Sequence, residues 1–201
     1  MIIKVCGIKE PGNCLAIDNL QPDLIGMIFY KKSPRFIGET ILPKTKATKV
    51  GVFVNSSFEE IISNAQQHGL QYIQLHGNEP LLLAEKLHKK GMQIIKSFGV
   101  ETEINNEEMA EWENYCSYFL FDTKSKQYGG TGIQFNWQLL ENYLLKTPFL
   151  LSGGIGLNDA QELKKIKHPA FSGVDINSKF ELEPGIKNIE QVKSFIDEIK
   201  N

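Results

Sequence analysis

The chain has 201 residues, 41% hydrophobic and 23% charged, with 22 Lys and Arg against 24 Asp and Glu, a formal net charge of -2. That balance is ordinary for a globular protein and excludes disorder, collagen-like repeats and coiled coils. It also leaves no global basic field for a nucleic-acid backbone or an anionic membrane, so any anion must be bound locally.

The N-terminal run Met1–Cys6 reads as a strand and lacks the apolar length and small-residue cleavage site of a secretion signal. Short apolar runs rich in β-formers then recur at Leu24–Phe29, Lys49–Val54, Tyr72–Leu75, Gln93–Ser97, Tyr118–Asp122, Phe149–Ser152 and Ser172–Ile176, which predicts eight strands. Helix-period segments lie between them. Phe58, Ile61, Ile62 and Ala65 follow Ser57, with Glu60 three residues on as a capping box; Pro80 precedes Leu83, Ala84 and Leu87. Asn158 is expected to cap a helix carrying Leu163 and Ile166, and Ile189, Val192, Ile196 and Ile199 form the stripe of the last helix. Strands alternating with helices imply parallel pairing with both sheet faces covered, in either an open doubly wound sheet or a closed barrel. Eight regular repeats ending in a helix favour the α/β (β/α)8 TIM barrel, and about 200 residues is its lower size limit. Between Lys31 and Thr48, Pro34, Gly38 and Pro43 leave little room, so the second helix is expected to be short or missing. No Gly/Ser tract or charge run marks a boundary, so residues 1–201 read as one catalytic domain.

No run of 18 apolar residues predicts a membrane span. Cys6, Cys14 and Cys116 are odd in number and lack Cys-x-x-Cys spacing, which suits reduced thiols in a cytoplasmic protein. The four histidines show no metal-binding spacing, so no metal is expected.

In a barrel, loops after the strands gather at one end, and polar residues just past distant strands converge. Those places hold Cys6, Arg35, Asn55, His76, Asp122, then Gly129-Gly130-Thr131-Gly132, Gly153-Gly154, and finally Asp175, Asn177 and Ser178. Glycine permits close backbone approach, which is how a loop turns several N–H groups onto a phosphate. A single Gly-Gly pair serves equally well as a plain turn, whereas turns at several related strand ends point to a phosphate site. None fits a dinucleotide fingerprint: the sixth position is Phe135 after Gly130-Thr131-Gly132 and Asp159 after Gly154-Ile155-Gly156. No Gly-x4-Gly-Lys-Ser/Thr loop occurs either, so neither NAD nor ATP is expected and no cofactor is called for.

Ordered blocks then carry a resemblance. Lys4-Val5-Cys6-Gly7-Ile8-Lys9, Ser33-Pro34-Arg35, Val50–Asn55, Gln74-Leu75-His76-Gly77, Phe121-Asp122-Thr123-Lys124, Gly130-Thr131-Gly132, Leu151–Ile155, Gly173-Val174-Asp175 and Pro184-Gly185-Ile186-Lys187 span the chain. Together they resemble the phosphoribosylanthranilate isomerases of tryptophan biosynthesis. The resemblance implies an Amadori rearrangement of N-(5'-phosphoribosyl)anthranilate to a 1-deoxyribulose 5-phosphate, with Cys6 as general base and Asp122 as general acid. It further implies Arg35 on the anthranilate carboxylate and the phosphate on backbone N–H groups around Gly130, Gly132, Gly153, Gly154, Asn177 and Ser178. His76 and Asp175 would line the site. The acid and base roles call for a carboxyl displaced upward and a thiol displaced downward from their ordinary values. The family pattern after the eighth strand has a glycine where this chain has Lys179, which adds a cation near the phosphate turn. The implied partner is the small-molecule substrate alone, on a monomer or homodimer, without nucleic acid or membrane. Two rivals remain at this stage. The related histidine-pathway isomerase is expected to carry an acidic residue in place of Cys6 and a half-length repeat, and a non-catalytic phosphoribosyl-binding barrel would not need Cys6 or Asp122.

Overall fold

The computed structural model describes residues 1–123 and 134–200. Its framework is a closed, eight-stranded parallel barrel in the order β1 (Ile2–Val5), β2 (Leu24–Ile28), β3 (Thr48–Phe53), β4 (Tyr72–Leu75), β5 (Gln93–Val100), β6 (Tyr118–Thr123), β7 (Phe149–Leu151) and β8 (Phe171–Ile176). The seam closes where β1 pairs with β8 in the register Ile2↔Gly173 to Val5↔Ile176. All eight predicted strands are present, and the (β/α)8 architecture is established.

The helical layer is uneven. Helices α1 (Pro11–Asp18), α2 (Phe58–His68), α3 (Leu81–Lys89), α4 (Asn106–Ala110), α5 (Ala160–Lys165) and α6 (Ile189–Lys200) are separated by irregular chain. No helix follows β2, in keeping with the prolines of that segment. The segment still covers the barrel, because Ile37 and Leu42 are buried and the Asp18 carboxylate accepts the N–H groups of Lys46 and Ala47 at 2.9–3.0 Å. After β6 the described chain forms a 3-10 turn, Trp137–Asn142, in place of a full helix. Here Tyr143 packs against Phe121 and Phe149, with both ring centroids at 5.3 Å, and donates its hydroxyl to the Thr147 carbonyl. Large aromatic rings thus supply the apolar area that a helix face otherwise brings.

Ser57 caps α2 by accepting from the Glu60 N–H at 3.1 Å, and α6 buries Val192, Ile196 and Ile199 as the stripe requires. The expected cap at Asn158 is corrected. Asn158 lies inside a 3-10 turn, Leu157–Asp159, that Gly156 opens, and Asp159 Oδ2 reaches back to the Gly156 N–H at 2.6 Å before α5 begins. An aspartate three residues after the opening residue satisfies that end more directly than Asn158 would. A small antiparallel hairpin, β9 (Glu181–Glu183) with β10 (Ile186–Lys187), sits between β8 and α6 and has no counterpart among the predicted elements.

Alternate strand residues face the barrel axis. At the N-terminal end Leu24, Val50, Ile95, Leu120 and Leu150 form a closed apolar plug with Ile2, Tyr72 and Tyr118 around it. Two residues further along, six of the eight strands turn polar side chains inward, Lys4, Gln74, Ser97, Asp122, Ser152 and Asp175, while β2 and β3 place Gly26 and Val52 there. The barrel therefore has a dry floor and a polar upper end.

Candidate active site

A pocket of about 740 Å³, counting its open mouth, occupies that upper end. Cys6, just past β1, lies in it with His76 beyond β4, Asp122 on β6, Gly153 and Gly154 after β7, Asp175 on β8, and Asn177 and Ser178 after it. Eight of the residues singled out in the sequence thus meet around one cavity. Tyr30, Ser33, Gln74 and Ser152 also line it; none is among the candidate site residues, although Ser33, Gln74 and Ser152 lie inside the ordered sequence blocks. Gln74 is accessible to a period-two argument, since it stands two residues before His76 on the same face. Gly130 and Gly132 lie outside the described residues. Asn55 braces a loop instead: its N–H donates to Glu79 Oε1 at 3.0 Å and its side-chain oxygen accepts from the Asn78 N–H at 2.8 Å.

Cys6 is 3% exposed, and its Sγ fits because the facing β2 residue is Gly26, where a Cβ would lie 2.8 Å from the sulfur. Burial pushes the thiol up from its ordinary value, Lys4 and Lys187 pull against that, and Asp175 adds to it. The expectation of a thiol displaced downward is corrected: desolvating an anion in a packed barrel outweighs the two nearby ammonium groups.

Asp122 follows the expected direction. Burial first, then the neighbouring Asp175 carboxylate, lift its carboxyl to about 6, against a Thr123 N–H bond at 2.8 Å and the Lys4 charge. A carboxyl so placed is protonated often enough near neutrality to act as an acid.

His76 now has a defined state. Burial and the charges of Lys4 and Lys96 hold its imidazole down at about 4, so the ring is neutral. Its Nδ1 stands 2.8 Å from Ser97 Oγ and 3.0 Å from Gln74 Nε2. The amide can only donate there, which makes Nδ1 an acceptor and puts the ring proton on Nε2. That N–H faces Asp122 Oδ2 at 3.6 Å, an arrangement of neutral donor and carboxyl rather than an ion pair. The turn after His76 is fixed by Glu79, which binds the Gly77 N–H and the Lys96 ammonium, the latter at 2.9 Å.

Asp175 is held by one oxygen only. Its Oδ2 accepts from Lys4 Nζ at 2.9 Å, whereas Oδ1 is buried with no hydrogen-bond partner. A buried carboxylate oxygen left in this way, in a pocket wall, is a ready acceptor for a substrate hydroxyl. Gly153 and Gly154 take left-handed φ values of 83° and 64°, and a Cβ on Gly153 would strike Thr123 Oγ1 at 2.5 Å. This turn admits only glycine at its first position, and no described group accepts from the N–H of Gly153, Gly154 or Ser178. Nearby, the stem of Lys179 lies over Gly156, with Cδ 3.2 Å from where a Cβ would stand.

Arg35 sits at the edge, outside the pocket wall, with its Cδ against Gly7. Its guanidinium is already engaged by Glu181, with Nε donating at 2.9 and 3.0 Å and Nη2 at 2.7 Å. Glu181 is in turn bound by Lys187 Nζ at 2.7 Å and the Gly185 N–H at 3.0 Å, and these contacts draw its carboxyl below the usual range against the effect of burial. Lys187 Nζ also reaches Asn177 Oδ1 at 2.7 Å. The β9–β10 hairpin therefore orients both Arg35 and the turn after β8. Among the described residues no three His, Cys, Asp or Glu side chains are grouped as a metal ion would need, and no helix is long and apolar enough to cross a membrane.

Fold and pocket define a class: a (β/α)8 enzyme with a polar pocket at the carboxyl end of its barrel, walled in part by a thiol and a carboxyl. The family model described as N-(5'phosphoribosyl)anthranilate (PRA) isomerase matches residues 3–198. The N-(5'-phosphoribosyl)anthranilate isomerase of Parabacteroides distasonis is 43% identical over 210 residues, spanning 99% of this chain and 93% of that relative. Phosphoribosyl anthranilate isomerase from Thermus thermophilus superposes with a TM-score of 0.83 at 27% identity, covering 100% of this chain and 98% of that one. Another phosphoribosyl anthranilate isomerase, solved in complex with reduced 1-(o-carboxyphenylamino)-1-deoxyribulose 5-phosphate, superposes with a TM-score of 0.77 at 30% identity, over 100% and 99% of the two chains. This chain belongs to the N-(5'-phosphoribosyl)anthranilate isomerase family, the intramolecular aldose-ketose isomerases of tryptophan biosynthesis.

Proposed function

We propose that Cys6 and Asp122 carry out the Amadori rearrangement of N-(5'-phosphoribosyl)anthranilate in this chain, with the remaining pocket groups binding its two anionic ends. The observation that carries this assignment is the placement of a thiol just past β1 and a raised carboxyl on β6 in the wall of one polar pocket. Protonated Asp122 donates to the ribose ring oxygen as the C1–O bond breaks, and the anthranilate nitrogen lone pair forms the C=N bond of a cationic Schiff base. The Cys6 thiolate then removes the C2 proton. The C2–H electron pair becomes the C1=C2 bond, the nitrogen regains its lone pair, and the enolamine relaxes to the amino ketone as its C2 hydroxyl loses a proton and C1 gains one. In this scheme the Nε2–H of His76 faces the Asp122 carboxylate left after proton donation, and Asp175 Oδ1 accepts from a sugar hydroxyl.

The phosphate rests on the open N–H groups of Gly153, Gly154 and Ser178, in the place where barrels of this kind bind phosphate. Glu181 occupies the Nε edge of Arg35, which leaves the outer edge, with one N–H each from Nη1 and Nη2, for the anthranilate carboxylate. Arg35→Ala is accordingly expected to raise KM by about tenfold or more with a much smaller change in kcat. Steady-state kinetics in which kcat falls while KM holds would remove this role.

The test of the whole assignment is the loss of anthranilate-type fluorescence when the protein meets phosphoribosylanthranilate generated in situ. Signal loss with wild type and none with the Cys6→Ala, Asp122→Asn double variant is expected. Equal loss with both would show that the acid-base pair lies elsewhere, and no enzyme-dependent loss would overturn the activity itself.

A further inference from the structure

Lys4 is completely buried on β1 and has no part in the chemistry above. A buried ammonium is costly to keep, and an ion pair inside a core is often matched or bettered by apolar side chains of the same size. Asp175 accounts for one of its three N–H groups, at 2.9 Å. Residues 4 and 6 share the inward face at the end of β1, which brings the ammonium near enough to the sulfur for each charge to act on the other. Asp175, Lys4 and Cys6 thus form a cluster of carboxylate, ammonium and thiol at the seam between β8 and β1, with the carboxylate and the thiol both in the pocket wall. The other charged or titratable groups that face it are Lys187 on β10, Asp122 on β6 and His76 just past β4. Of the cations acting on the sulfur, Lys4 has the larger effect.

We propose that Lys4 is the positioning residue for the base, a buried ammonium whose charge beside the Cys6 sulfur favours its thiolate, while Asp175 sets how much of that charge the sulfur receives. The inference rests on the reading of Cys6 as general base and adds the group that makes a buried thiol able to serve. Because an anion is the nucleophilic form of cysteine, its ionisation can be read without turnover.

The experiment is the pH dependence of Cys6 alkylation by iodoacetamide, followed by peptide mass spectrometry so that Cys14 and Cys116 are counted separately. In Lys4→Met the alkylation midpoint should move to higher pH, and at pH 8 the Cys6 reaction should slow by about tenfold for every pH unit that the midpoint rises. In Asp175→Asn, which frees the ammonium for the sulfur, it should move the other way and alkylation should speed up. A packing role alone would not move the two midpoints in opposite directions. If Lys4→Met fails to fold by circular dichroism, the Lys4→Met, Asp175→Asn double variant leaves no charge unpaired and should still show the raised midpoint. An unchanged Cys6 profile in the folded Lys4 variant, or an upward move in Asp175→Asn, overturns the proposal. Wild-type turnover is measured on the same preparations. An inactive wild type with both midpoint changes intact would remove Cys6 as base and leave the Lys4 contact standing, and active wild type without those changes would do the reverse.

Discussion

Replacing Cys6 by Ser is expected to lower kcat by about 10³-fold while KM stays within a few-fold of wild type, with the fold intact. The substitution shortens one side chain in a space that Gly26 already opens, and the Lys4–Asp175 pair beside it is untouched. What it loses is the anion: an alkoxide at neutral pH is far scarcer than a thiolate, even one whose thiol burial has pushed up. The loss lies within the range that general base catalysis contributes. Turnover within tenfold of wild type would mean that another group takes the C2 proton.

The second large effect belongs to Asp122 and shows itself in pH. The acid must be protonated and its carboxyl sits at about 6, whereas the base must be ionised and its thiol sits above its ordinary value. Below about pH 6 the carboxyl stays protonated and kcat/KM climbs as more thiolate forms. Between the two midpoints the protonated acid declines as fast as the thiolate grows, which gives a plateau. Above the thiol midpoint the base is fully ionised, the acid keeps declining, and activity falls. The form with carboxyl protonated and thiol ionised is a minority throughout, and the two limbs belong to the coupled pair. Asp122→Asn should cost about 10²- to 10⁴-fold in kcat and remove the bend near pH 6, leaving residual activity that rises with pH until the thiol ionises. A pH profile of the variant that keeps this bend would place the acid on another residue.

How far the site can be read from sequence follows from what kind of signal each residue leaves. Strand ends carry a local signal, because an apolar run stops at a polar residue; Cys6, His76, Asp122, Asp175, Asn177 and Ser178 are legible in that way, and so is the helix missing after β2. Lys4 and Gln74 lie inside runs that read as apolar strands, and only counting back by two from Cys6 and His76 reveals that they face the same cavity. Glu181 leaves no local signal as the partner of Arg35: the two are 146 positions apart and meet only because the β9–β10 hairpin folds over the barrel mouth. The direction of the thiol's displacement is hidden for a related reason. Sequence names the cations near Cys6 but not the depth of burial that outweighs them.

The Lys4–Asp175 ion pair also bears on how the barrel closes. It joins groups 171 positions apart, and in a chain made from its N-terminus the ammonium is present long before the carboxylate that neutralises it. Until β8 arrives, packing β1 into a finished interior would strand an unpaired charge in apolar surroundings. The first seven strands alone therefore gain little by collapsing tightly around β1, and the last strand brings both the missing hydrogen-bonded edge and the missing counter-charge. Docking of that strand closes the hydrogen-bonded ring and neutralises the buried charge together, through a contact of high sequence separation of the kind that is intrinsically slow to form.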